Sequence, residues 1–428
     1  MERYKNSELL LQKALELVPT GSQTFSKSHY AYPRHASPMF LERGKGSAVW
    51  DVDGHQYIDF VNSLLCVSLG YADEDINAAV MAQLQNGVSF SLPHRLEIEV
   101  AELLVDCIPS AEMVRFAKNG TDVTSAAIRL ARAYTGREHV AVGGYHGWQD
   151  WYIGSTTRDL GVPGAVKALT HTFKYNDLTS LETLFSQFPK QIAAVILEPM
   201  TFDLPKPGYL DDVKKLCERE GALLIFDEMI TGFRFALGGA QEYFNVVPHL
   251  STFGKGMANG FPLSAIVGQR DIMKSMDDIF FSGTFGGETM SLAAAKATLL
   301  KMRAKDVAGD LIRKGEALKV SVEKLIREQQ LEDYCSISGF PSWTLLAIKD
   351  TPNYTGLELK SLFIQECALR GILMNATHNL SYAHSDQDIQ RLLEVYGEVL
   401  PILKEVSENK LLASRLKGDV LKPVFKVR

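Results

Sequence analysis

Two stretches decide the fold: ALLIFDEMITGFRFALGG at residues 222–239 and STFGKGMANGFPLSAIVGQ at residues 251–269. Each contains short apolar runs that stop abruptly at a polar or glycine-rich turn. A run of that length without polar alternation is expected of a strand covered on both faces, as in a parallel sheet. Upstream, VRFAK (114–118), HVAVGGY (139–145) and AAVILEP (193–199) repeat the pattern, with amphipathic helical stretches between most of them. Strands alternating with helices predict βαβ units and a mainly parallel sheet.

Outside that block, residues 5–17 read as an amphipathic helix closed by Pro19 and Gly21. MFLERGKGSAVWDVDGHQYIDF (39–60) alternates around Asp53-Gly54, a hairpin signal. Further helices are expected near 73–86, 95–107, 307–329 and 386–406. The predicted architecture is α/β. A large central domain covers 61–304, and a smaller α+β domain is assembled from 1–60 and 305–428.

The chain has 428 residues, 46% of them apolar and 22% charged, with a formal net charge of -6. Acidic and basic residues are interspersed, so no basic face points to nucleic acid. No apolar run reaches 18 residues, and a signal-peptide stretch is missing from the N-terminus. These features predict a cytoplasmic protein without a membrane partner. Cys66, Cys107, Cys217, Cys335 and Cys367 are scattered without CxxC spacing and read as small buried hydrophobes. No metal site is expected. The tail Lys417–Arg428 is mildly basic, but its Leu, Val and Phe residues suggest docking.

Three positions carry chemistry. Asn119-Gly120-Thr121 joins the strand VRFAK to a helix whose apolar face is Val123, Ala127, Leu130, Ala131 and Tyr134. Unpaired N–H groups and the helix dipole make such a start an anion site, the bland alternative being an N-cap. Asp227 ends a buried strand, where doubly wound sheets bind ligands, although it also suits a loop cap. Lys255 stands between two glycines after a strand, placed to be desolvated and nucleophilic, although alone it suits a surface turn. An anion cradle, an acid and a lysine on strand ends of one domain together meet the needs of pyridoxal 5′-phosphate. Its phosphate needs the cradle, its ring nitrogen the carboxylate and its aldehyde the lysine, as a Schiff base. A dinucleotide-binding reading is weak, because no GxGxxG follows a strand.

From about Glu8 to Val406 the chain resembles the class III aminotransferases of fold type I, the aspartate-aminotransferase-like architecture. Glutamate-1-semialdehyde aminomutase and its sugar-transaminase-like relatives are the nearest in pattern. The stretches that carry the resemblance are FAKNGTDVTSAAIRLARAYTGRE, GGYHGWQDW, AAVILEPM, LLIFDEMITGFRFALGGAQEYFNVVP, STFGKGMANGFPLSAIVG, SGTFGG and AHSDQDI. The resemblance implies that Tyr145, beside His146, stacks on one face of the cofactor ring. Met229 would lie against the other face, where the family usually has a smaller β-branched residue. Glu198 would order the site near the ring hydroxyl and Asp227. Thr284 would reach the phosphate of a neighbouring subunit, which implies a homodimer with shared active sites.

The chain departs from the aminomutase pattern at TGSQTFSKSHY (20–30), at Leu64-Leu65 beside Ser63, and at NATHNLSYAHS (375–385). These departures favour transfer between two substrates over an intramolecular aminomutase or a racemase. A non-catalytic module disagrees with retention of Lys255, Asp227, Gly120, Thr121 and Thr284. The polar set Ser22, His35, Ser63, His378 and Asn379 would face a hydroxylated acceptor, a keto- or aldehyde-sugar or sugar acid of the kind used for surface polysaccharides. Glutamate is the donor by family analogy, with Arg34, Arg95 and Arg234 as candidates to grip its carboxylate.

Overall fold

Every residue of Ile192–Leu197 and of Leu223–Asp227 is buried, as strands sandwiched between helices require. The computed structural model describes residues 3–423. The chain divides into two units: the first combines residues up to Asp73 with those from Asp310 onward, and the second spans Glu74–Gly309.

In the first unit β1 (Leu41–Lys45), β2 (Ala48–Asp51) and β3 (Gln56–Asp59) pair antiparallel around the expected Asp53-Gly54 turn. The second unit carries β4 (Met113–Ala117), β5 (His139–Gly143), β6 (Thr170–Thr172), β7 (Ile192–Leu197), β8 (Leu223–Asp227), β9 (Leu250–Phe253) and β10 (Ser264–Gly268). They form one sheet of order β4-β10-β9-β8-β7-β5-β6. β10 runs antiparallel to both β4 and β9, and the remaining pairs of the sheet are parallel. The segment Gly254–Leu263 between β9 and β10 is shorter than the dozen or so residues a parallel crossover needs. In the first unit again, β11 (Cys335–Phe340) and β12 (Trp343–Ile348) pair antiparallel, β13 (Ile372–Leu373) joins β3 in parallel, and β14 (Thr377–Asn379) joins β12.

Side chains alternate across the large sheet. Val140, Val142, Ile196 and Ile225 pack with Val123, Ala127, Leu130 and Ala131 of the helix Gly120–Thr135. Ala141, Val195, Leu197, Leu224 and Phe226 face the opposite side, with Val213 and Leu216 of the helix Tyr209–Glu220. The predicted helix face holds except at Tyr134, which is 48% exposed. Helices also occupy Lys5–Leu17, Glu74–Leu84, Arg95–Cys107, Val307–Glu328 and Asp386–Asn409. Among the described residues, no helix is long and apolar enough to cross a membrane.

The unit boundaries fall later than the expected 60/61 and 304/305. Residues 61–73 are tied to the first unit through Asn379 Nδ2 donating to the Val61 carbonyl at 2.7 Å and Tyr382 N–H donating to the Ser68 carbonyl at 2.8 Å. The tail docks as far as it is described: Leu421 is buried and its N–H donates to Ser361 Oγ at 2.9 Å. Residues 424–428 lie outside the described residues. Asn62–Leu65 form a left-handed turn with φ of 54, 48, 58 and 70° and no glycine, which no propensity rule anticipates.

Two buried histidines make the first unit acid-sensitive. His378 sits between Thr344 Oγ1 at 2.8 Å and Tyr396 OH at 2.7 Å, and His384 bonds Ser381 through Nδ1. Burial lowers each from the ordinary histidine value to about 4. Unfolded, both bind a proton near pH 6.5. The unfolded state therefore holds more protons between pH 6.5 and 4, and stability falls as pH drops through that window. Each histidine is expected to contribute on the order of 3 kcal/mol to that loss. Urea titrations at pH 7 and pH 4.5 should show it, and His378→Gln should flatten the slope. An identical slope in that variant would contradict the assignment.

Candidate active site

The site grows from the end of β8 in the second unit. Asp227 is 3% exposed, so its charge requires partners. Oδ2 meets His146 Nδ1 at 2.8 Å. Oδ1 accepts from Thr252 Oγ1 at 3.3 Å and from the Met229 N–H at 3.1 Å. Thr252 is the β9 residue paired in register with Asp227, so sheet pairing brings the hydroxyl to the carboxylate. His146 is 2% exposed, and its Nε2 is buried without a hydrogen-bond partner among the described residues.

His146 is held by a turn that needs glycine on each side. Gly144 and Gly147 have φ of +107 and +108°, a region side chains strain to adopt. A Cβ on Gly144 would lie 2.6 Å from Glu198 Oε1, and one on Gly147 would lie 2.4 Å from Thr121 Oγ1. Glu198 Oε1 also accepts from the Tyr145 N–H at 2.8 Å. Burial and the nearby Asp227 charge push the Glu198 carboxyl above the usual glutamate range, with His146, the Tyr145 N–H and the charge of Lys255 opposing. The Tyr145 ring stands edge-on to Tyr152 at 5.5 Å.

The helix Gly120–Thr135 starts beside this turn. Asp122 accepts from the Asn119 N–H at 2.8 Å, Thr121 Oγ1 accepts from the Trp148 N–H at 3.3 Å, and Thr124 Oγ1 donates to the His146 carbonyl at 2.8 Å. A Cβ on Gly120 or on Gly254 would lie 2.8 Å from Met229 Sδ. Lys255 follows Gly254 with φ of +40°. Its amine makes no hydrogen bond or ion pair among the described residues. Asn119, Gly120, Thr121, His146, Glu198, Asp227, Met229 and Lys255 thus join through a few shared contacts of one unit.

Residues 30–381 match the family described as Aminotransferase class-III. The chain belongs to that family. This class-III aminotransferase is 33% identical over 414 residues to a 3-aminobutyryl-CoA aminotransferase of Cloacimonas acidaminovorans, covering 94% of this chain and 99% of that relative. It is 41% identical over 320 residues to a glutamate-1-semialdehyde 2,1-aminomutase of Syntrophomonas wolfei, covering 71% and 74%. The FumI protein of Sphingopyxis sp. MTA144, solved in its PLP internal aldimine form, superposes with a TM-score of 0.88 at 29% identity, covering 95% of this chain and 97% of that one. The fold is PLP fold type I and the cofactor is pyridoxal 5′-phosphate.

The residues present fit that group. A helix start offers N–H groups suited to a phosphate, a buried carboxylate ends the strand, and the lysine amine makes no hydrogen bond or ion pair among the described residues. Sequence reading missed Thr252, one of two adjacent hydroxyl residues in the strand LSTF, and the bond between His146 and Asp227. Thr284 lies in an exposed loop with Phe280 and Phe285.

Two members of the polar set of the first unit are turned into its interior. His378 is fully buried between Thr344 and Tyr396, and Asn379 is 3% exposed with its amide on the Val61 carbonyl. Neither faces a substrate, because each ties together backbone or side chains of its own unit. Arg34 is committed bidentately to Glu8. Arg95 is 81% exposed and pairs with Glu99, while Arg234 is 1% exposed. Ser22 and Ser63 instead line one cavity of about 540 Å³, with Gln23 and Lys27.

Proposed function

We propose that this class-III aminotransferase takes the amino group of glutamate and delivers it to a small keto- or aldehyde acceptor of the sugar or sugar-acid kind. The observation that carries the transfer is the uncommitted amine of Lys255 in the same unit as the buried Asp227 carboxylate. When bound, pyridoxal 5′-phosphate supplies an electron sink for charge developing on the substrate carbon.

The protein's own residues have distinct tasks. Gly120 and Thr121 would offer N–H groups at the helix start to the phosphate, beside Asn119, whose own N–H is held by Asp122. Asp227 would hold a proton at the ring nitrogen, while His146 and Thr252 fix both of its oxygens. Tyr145 and Met229 would lie against the ring, and Glu198 would order its hydroxyl edge. Lys255 Nζ would hold the group at its aldehyde, and the same amine would take a proton from the substrate carbon and return it. Thr284, on its exposed loop, would reach the phosphate held by a second copy of this chain.

Support for a hydroxylated acceptor comes from the polar stretch TGSQTFSKSHY (20–30), where the chain departs from the aminomutase pattern. Within the first unit, Ser22, Gln23, Lys27 and Ser63 line one cavity together with Tyr32, Phe40, Tyr71 and a larger set of aliphatic residues. The 41% identical aminomutase keeps a one-substrate reaction as the second reading. Incubating the purified, cofactor-loaded protein with glutamate alone separates the two. Transfer is expected to release one 2-oxoglutarate per site and stop, until an acceptor from a panel of sugar aldehydes and keto acids restarts it. No 2-oxoglutarate, or continuous turnover of a single substrate, would remove the proposal.

A further inference from the structure

Gly120 and Gly254 are explained by one side chain. Neither has a φ in the left-handed region. For Gly120, the three atoms nearest a Cβ all belong to Met229: Sδ at 2.8 Å, Cγ at 3.3 Å and Cε at 3.7 Å. For Gly254, the two nearest are Met229 Sδ at 2.8 Å and Cε at 3.4 Å. The thioether therefore lies between the first residue of the helix Gly120–Thr135 and the residue before Lys255. Its backbone is anchored too, since the Met229 N–H donates to Asp227 Oδ1 at 3.1 Å. The side chain is partly buried and packs against the core cluster under the helix, which limits how far it can swing.

We infer that Met229 is a positioning residue, a wedge whose sulfur sets the spacing between the anion cradle at Gly120 and the lysine turn at Gly254. Contact with a cofactor ring does not require this role, and a short β-branched side chain would not span both glycines. A sulfur at the centre of the contact suits it, because a long C–S bond and a flexible chain let one side chain fill an irregular gap. The consequence is a size constraint shared by three positions: bulk added at either glycine must be removed from residue 229.

This inference rests on the cofactor reading above, and double substitutions in the full chain test it separately. The apparent dissociation constant for pyridoxal 5′-phosphate is read by protein fluorescence, and the melting temperature of the cofactor-free protein is read in parallel. Gly120→Ala and Gly254→Ala are each expected to weaken cofactor binding about ten-fold or more, because the thioether that would have to give is itself packed against the core cluster under the helix. In the Met229→Ala background the same glycine substitutions should cost two-fold or less, since the space they need is then empty. Full additivity, with each glycine substitution costing the same in both backgrounds, would overturn the wedge. So would a silent Gly120→Ala and Gly254→Ala, which would mean the thioether swings aside freely. If borohydride instead attached no cofactor to Lys255 in the unsubstituted protein, the cofactor reading itself would have failed. The melting temperature separates either result from simple misfolding.

Discussion

Replacing Lys255 by alanine is expected to lower turnover by about 10⁴-fold or more, because one nitrogen performs both covalent attachment and proton transfer. Lys255 ends the turn after β9, and its amine has no partner among the described residues, so no neighbouring group is placed to take over. Lys255→Arg should be as inactive as Lys255→Ala. A guanidinium keeps the positive charge but stays protonated, and so cannot attack a carbonyl. That comparison distinguishes nucleophile from mere cation. Borohydride reduction followed by peptide mass mapping should attach a pyridoxyl group at residue 255 in the natural protein and in neither variant. The anion cradle at Gly120 and Thr121 remains in both, so non-covalent cofactor binding should persist. Substantial turnover in either variant would refute the assignment.

Asp227→Ala should reduce kcat by about 10³-fold, in the middle of the range that one proton-holding group contributes. Three donors lose their acceptor in that variant: His146 Nδ1, Thr252 Oγ1 and the Met229 N–H. Leaving such groups buried and unpaired costs about 1–3 kcal/mol each when unrelieved, so the cofactor-free protein should also melt earlier. Asp227→Asn keeps the shape and two of the bonds but removes the charge. It should recover most of the stability and little of the rate. Equal recovery of both would mean that the carboxylate is structural. Unchanged kinetics in Asp227→Ala would mean that another acid serves the ring nitrogen.

Much of this organisation is legible in the chain. Buried strands such as Ile192–Leu197 announce themselves as apolar runs because both faces are covered, and the helix Gly120–Thr135 shows its face at 3.6-residue spacing. The strand-end positions of Asp227 and Lys255 follow from where those runs stop. The antiparallel direction of β10 follows from a connection too short to cross over, yet that limit carries no composition signal. The set proposed for the acceptor fared differently. Ser22 and Ser63 share a cavity, but His378 and Asn379 are polar residues used inside the first unit, and Arg34 is bound to Glu8.

The difference is one of range. Periodicity, apolar runs and glycine-flanked turns are local, so the order of residues is enough to read the elements, the α/β class and the lysine and aspartate at strand ends. Whether a polar side chain faces a ligand or a neighbour depends on residues far away along the chain. His146 reaches Asp227 across 81 positions, Thr252 reaches it through sheet register, and one methionine sulfur accounts for two glycines more than a hundred positions apart. Those pairings arise only when the chain closes its core, because desolvation then forces each buried polar group to find the partner that folding has brought near.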